Sequence, residues 1–86
     1  MSENTRYKLH RILDLAIESS ESGDDTSINI ICSADGASSV FVSVCDGEFA
    51  KDVKIDTVNG YIDKNGNTNI ENIMDQMKHR LSRNEK

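Results

Sequence analysis

The stretch Ala50-Lys51-Asp52-Val53-Lys54-Ile55-Asp56-Thr57-Val58-Asn59-Gly60-Tyr61-Ile62-Asp63-Lys64 decides the reading of the fold. Asn59-Gly60 sits between Val58 and Tyr61, and this dipeptide is the favoured centre of a two-residue type I′ hairpin, because both turn residues must take positive φ. The sequence therefore reads as a third strand over about 50–58 that turns at Asn59-Gly60 and returns as a short fourth strand over 61–64. Upstream, Ser27 to Ser33 and Ser39 to Cys45 are rich in β-branched residues, and Asp35-Gly36 and Asp46-Gly47 supply the intervening turns. An antiparallel meander of four strands follows.

Helices flank the meander. From Thr5 to about Ser19 the residues Leu9, Ile12, Leu13 and Ala16 recur at helical spacing and form one apolar stripe. At the other end Thr68 and Glu71 have the spacing of a capping box, and Ile70, Ile73, Met74, Met77 and Leu81 form the stripe of a helix over about 69–82. The expected fold is α+β, in the order α-β-β-β-β-α, with both helices packed on one face of the sheet. Its 86 residues, 36% of them hydrophobic, suffice for a single small domain over 1–86. An acidic linker over about 19–26 and a frayed tail over about 83–86 complete the expected organisation.

The hairpin also assigns the faces. Val58 and Tyr61 flank the turn and so share one face, while Val53, Ile55, Thr57 and Ile62 share the other with Val40, Val42 and Val44. The second set is expected to form the core. The outer face then holds Ile31, Phe41, Val58 and Tyr61, an apolar group on a surface that water should make polar, and these four are the candidate residues for a partner or dimer interface.

Charge is unevenly distributed. The net charge is -5, yet residues 1–11 carry +2, residues 78–86 carry +3 and residues 12–77 carry -10. With four strands the start of the first helix and the end of the second fall on the same side. Arg6, Lys8, Arg11, Lys78, Arg80 and Arg83 are then expected to gather into one basic end on an acidic body.

No motif specifies a reaction. Cys32 and Cys45 form no Cys-x-x-Cys pair, fall on opposite faces in this reading and are expected as free thiols. Asp63-Lys64-Asn65-Gly66-Asn67-Thr68-Asn69 resembles the opening of a calcium-binding loop, but its glycine comes two positions early and Met74 stands where a bidentate Glu is needed. A phosphate-binding glycine loop is absent. No metal or cofactor is expected.

The sequence thus points to a non-enzymatic, cytoplasmic, protein-binding domain without membrane attachment, of the size and charge of small acidic regulators or inhibitors from bacteria and their phages. Its expected partner is a protein with a basic surface, with self-association as a homodimer through the outer sheet face or a sheet edge. Two other readings compete. One is a small enzyme or ligand-binding domain using His10 or His79. The other is a nucleic-acid-binding accessory protein using the basic end, which the acidic body disfavours.

Overall fold

A computed structural model of the chain describes residues 1–45, 47–49 and 54–84, the side chains of 83 and 84 excepted. The elements are α1 (Glu3–Glu21), β1 (Thr26–Cys32), β2 (Ser38–Cys45), β3 (Ile55–Ile62) and α2 (Ile70–Asn84). The three strands form one antiparallel sheet in the order β1-β2-β3. The class is α+β as expected, but the described sheet has three strands where the sequence reading has four.

The difference lies at Asn59-Gly60. β3 runs straight through this dipeptide and pairs with β2 without interruption from Ile55 opposite Cys45 to Ile62 opposite Ser38. Gly60 stays within the strand, and the positive φ values occur at Gly23, Gly36, Gly47 and Gly66 instead. Its glycine character answers a packing need: a Cβ at position 60 would lie 2.8 Å from Cδ1 of Ile73 and 2.9 Å from Oδ1 of Asn69. A glycine inside a strand often marks such a close approach. Residues 61 and 62 are therefore the end of β3, and 63–66 form the turn that leaves it. The expected strand residues 50–53, Val53 among them, lie outside the described residues.

A continuous strand changes the faces. Residues 58 and 61 share a face across a two-residue turn, but three positions apart on one strand they point to opposite sides. Val58 stands opposite Val42 on the inner face, where it packs against the core, and Ile55 and Thr57 point outward. The core is formed by Val40, Val42 and Val44 of β2 with Ile62, against Ile12, Leu15 and Ala16 of α1 and Ile70, Ile73 and Met77 of α2. Both helices therefore cover the same side of the sheet.

α1 is capped by Ser2, whose Oγ accepts from the N–H of Thr5 at 3.1 Å. Its buried side is Thr5, Ile12, Leu15, Ala16 and Ser19. Leu13, expected in the buried stripe, is 43% exposed. At α2 the reciprocal capping box does not form. The hydroxyl of Thr68 accepts from the N–H of Ile70 and donates to the Tyr61 carbonyl, while Glu71 reaches across to the Lys8 ammonium of α1.

The segment 19–26 is not a loose linker. Ser19–Glu21 are the last turn of α1, Thr26 opens β1, and the two aspartates between them are bonded to the β2–β3 connection. Asp24 Oδ1 accepts from the N–H of Gly47 at 3.0 Å, and Asp25 Oδ2 accepts from the N–H of Phe49 at 2.9 Å. Asp24 also lies 3.8 Å from Nε of Arg80, whose Nη1 donates to Asp56 at 3.0 Å. Two acids that look like solvated linker residues thus join α1, β2, β3 and α2 at one end of the molecule. The tail likewise keeps its helix through Asn84, and 85–86 lie outside the described residues.

Candidate protein-docking face

The outer face of the sheet is built from alternate residues of the three strands. Register places Ile31, Ser39 and Tyr61 in one row, Asn29, Phe41 and Asn59 in the next, then Ser27, Ser43 and Thr57, and finally Cys45 beside Ile55. None of these eleven positions is charged, in a chain whose residues are 29% charged, and all but the fully buried Cys45 reach the surface. Among the described residues no helix lies over this face, since α1 and α2 both pack on the other. Ile31, Ile55 and Tyr61 are each about half exposed, and Phe41 is 37% exposed at the centre. Ser43 and Thr57 meet hydroxyl to hydroxyl at 3.2 Å, which ties β2 to β3 without adding charge.

Of the four residues expected on this face, Ile31, Phe41 and Tyr61 are there. Val58 is a core-side residue. Ile55 is a member that the hairpin reading assigned to the core, and the alternation Ile55, Thr57, Asn59, Tyr61 is the signal for it.

Charged groups stand at the ends of the face. Asp35 and Asp63 lie in the turns at one end, and Asp24, Asp25 and Glu48 at the other. Asp63 is locked in its turn: Oδ1 accepts from the N–H groups of Asn65 and Asn67, and Oδ2 from the Asn67 side-chain amide. These bonds, the Asn67 amide first, hold its carboxyl below the usual range, and the hydrogen bond and charge of Lys8 do the same for Glu71. Both groups are depressed in the folded chain. Their contribution to stability is therefore complete above the ordinary carboxylate range and is lost as pH falls through the folded-state values. Denaturant midpoints measured from neutral pH to below about pH 4 should fall, and Asp63→Ala should shrink that fall.

The basic end does not assemble. With three strands instead of four, α1 and α2 run in the same direction, so the start of α1 lies beside the start of α2. Lys8 accordingly meets Glu71 in the first turn of α2, and Arg80 near the end of α2 meets Asp24 just past α1. Arg6 and Lys8 are toward one end of the molecule, Arg11 is at the middle of α1, and Lys78, Arg80 and Arg83 are toward the other end. Arg11 pairs with Glu18 at 3.5 Å. The side chain of Arg83 lies outside the described residues.

The histidines are also apart. His79 lines a groove of about 430 Å³ between α2 and β3, with Asp56, Asp75 and Arg80 at its rim and Val42, Val58 and Met77 in its floor. His10 lines a groove of about 400 Å³ between α1 and β1, whose other walls are Leu9, Leu13, Ile28, Ile30 and Cys32. Both imidazoles are exposed. Among the described residues neither groove brings a nucleophile, a base and an orienting group together as acyl-transfer chemistry requires. Among the described residues no group of three His, Cys, Asp or Glu side chains is placed to hold a metal ion.

Cys32 and Cys45 are free thiols at opposite ends of the sheet, the first exposed and the second buried. Cys45 donates to the Gly47 carbonyl at 3.1 Å, and burial, with the Asp25 carboxylate adding to it, pushes its thiol up. Its complete burial makes Cys45 a packing residue. Among the described residues no helix is long and apolar enough to cross a membrane.

Set against family models, curated proteins and solved structures, the chain matches none.

Proposed function

We propose that this chain is a non-enzymatic protein-binding domain that docks through the outer face of its sheet. The observation that carries the reading is the absence of charge from all eleven outward positions, together with the exposure of Ile31, Phe41, Ile55 and Tyr61 among them. A sheet face left to water is ordinarily polar and carries charges, which cost nothing there and oppose aggregation. A face of amides, hydroxyls and a few large apolar groups resembles the centre of an interface, where aromatic residues are enriched and charged ones depleted. The acids at its ends suit a partner with an apolar centre and a basic rim, because they steer such a surface without being buried themselves.

The partner is accordingly a protein with that combination, and the chain acts on it as a regulator or inhibitor by occupying a surface. Phe41 is the central anchor. Phe41→Asp should abolish capture of the partner from a lysate of the source cell while leaving the far-UV spectrum and unfolding midpoint near those of the parent. Binding by the parent should weaken as salt rises. Equal capture by parent and Phe41→Asp would overturn the assignment of this face.

A further inference from the structure

The two edges of the sheet differ. On the outer edge of β3, Tyr61 donates its N–H to Oδ1 of Asn69 at 2.8 Å, and its carbonyl accepts from the Thr68 hydroxyl and the Asn69 N–H. Ile62 also bridges to Thr68. Lys54 and Asp56 charge the other end of that edge. β3 is thus guarded by the devices that keep edge strands from pairing.

β1 has none of them. Its seven residues, Thr26-Ser27-Ile28-Asn29-Ile30-Ile31-Cys32, contain no charge, proline or glycine, and among the described residues no strand pairs with its outer edge. The N–H of Ser33 donates to the Ala37 carbonyl, which makes 33 and 37 a hydrogen-bonded pair. Alternation then turns the backbone groups of Ser27, Asn29 and Ile31 toward β2 and those of Thr26, Ile28, Ile30 and Cys32 toward the free edge.

The helix above that edge is also incompletely covered. Arg6, His10, Leu13, Ile17 and Glu21 follow one another at intervals of three and four, so they share one flank of α1. Leu13 and Ile17 are 43% and 48% exposed there, and Ile30 below them is 39% exposed. Together with Ile28 and Leu9 they make an apolar strip along the β1 side. It runs about 24 Å, the length of seven extended residues.

We infer that this strip is the interface for a second copy of the same chain. Two β1 strands pair antiparallel about a twofold axis through Asn29, which brings Ile28 opposite Ile30 of the partner subunit and Thr26 opposite Cys32 of the partner subunit. The result is one six-stranded sheet in which all seven residues of each edge are paired. The two α1 helices then lie side by side in opposite directions. That arrangement sets Leu13 against the partner's Leu13 and places Arg6, at the basic start of one α1, beside Glu21 of the partner subunit, at the acidic end of the other. Charge complementarity follows from the twofold itself and selects a second copy over an unrelated strand. The strip is narrow, and the dimer is expected to dissociate on the order of micromolar concentrations. Its outer faces stay open, so the proposal stands apart from the docking role of Phe41.

Sedimentation equilibrium of the full chain over a wide concentration range tests the proposal. The parent and Phe41→Asp should both be dimeric, whereas Leu13→Glu, a helix-surface change that leaves the core intact, should weaken dimerisation by more than about tenfold. Ile30→Asp should do the same. In a Cys32→Ser background, Asn29→Cys should oxidise to a covalent dimer and Ser27→Cys should not. Only the first meets its own copy across the axis, as a non-hydrogen-bonded pair with Cα atoms about 4.5 Å apart. A monomeric parent, or a dimer that survives Leu13→Glu and is lost in Phe41→Asp, would overturn the proposal.

Discussion

Gly60→Ala is expected to destabilise the chain by about 1–3 kcal/mol, the usual cost of forcing extra volume into a packed site. The added methyl would stand 2.8 Å from Cδ1 of Ile73, a fully buried side chain, and 2.9 Å from Oδ1 of Asn69, which is held in place by the Tyr61 N–H. The same substitution in an exposed strand would help, since alanine loses less conformational freedom on folding. A gain in stability would therefore deny the close contact, and coupling of the substitution to Ile73 separates that contact from a turn that needs positive φ. Ile73→Val removes the atom in the way and should cost about 0.5–1.5 kcal/mol alone. Combined with Gly60→Ala it should cost less than the two separately, because neighbouring residues that share one contact do not add. Urea midpoints of the parent, the two single variants and the double variant check this. Additive losses would mean that Gly60 is not held by Ile73.

Arg80→Ala is the second change with a large expected effect, about 2–3 kcal/mol, the range for a hydrogen bond to a charged group whose partner is left behind. Arg80 is 16% exposed at its side chain and Asp24 13%, so neither charge is free to relax fully into water. Removing the guanidinium takes away the cation that Asp24 and Asp56 share, and the buried aliphatic part of the side chain is lost as well. Asp24→Asn retains an acceptor for the Gly47 N–H and should cost less. Denaturant unfolding of both variants gives the comparison, and equal losses would deny Arg80 its place at the centre of that end.

Both changes fall where the sequence was hardest to read. The helices were legible because Ile12 and Ala16, and Ile70, Ile73 and Met77, recur at helical spacing and nothing competes with that pattern. β1 and β2 were equally plain, and their alternation correctly put Val40, Val42 and Val44 inside and Ile31 and Phe41 outside. Asn59-Gly60 misled because a hairpin and a close helix contact both call for glycine, and only the position of Ile73 separates them. That single strand then changed the parity of the meander. It moved the end of α2 to the opposite end of the molecule and dispersed the basic residues that four strands would have gathered.

The acidic cluster was illegible for a related reason. Adjacent aspartates in a turn look solvated, and their partners, Gly47, Phe49 and Arg80, are more than twenty positions away. The candidate face was partly legible: Tyr61 points outward in either reading, while Ile55 and Val58 exchange sides. The free flank of α1 left a trace that was available throughout. Leu9, Ile12, Leu13, Leu15, Ala16 and Ile17 form an apolar arc wider than one side of a helix can bury against a small sheet.

Two surfaces are proposed for two tasks, the outer sheet face for a partner protein and the β1 edge with α1 for a second copy. The most direct test is capture from a lysate of the source cell at low salt, carried out in parallel on the parent, Phe41→Asp and Leu13→Glu, with the oligomeric state of each measured on the same preparation. The predicted result is that Phe41→Asp stays dimeric and loses the captured protein, while Leu13→Glu becomes monomeric and keeps it. Retention of the same protein by Phe41→Asp at the parental level would contradict the proposal that this uncharged face is where the chain binds its partner.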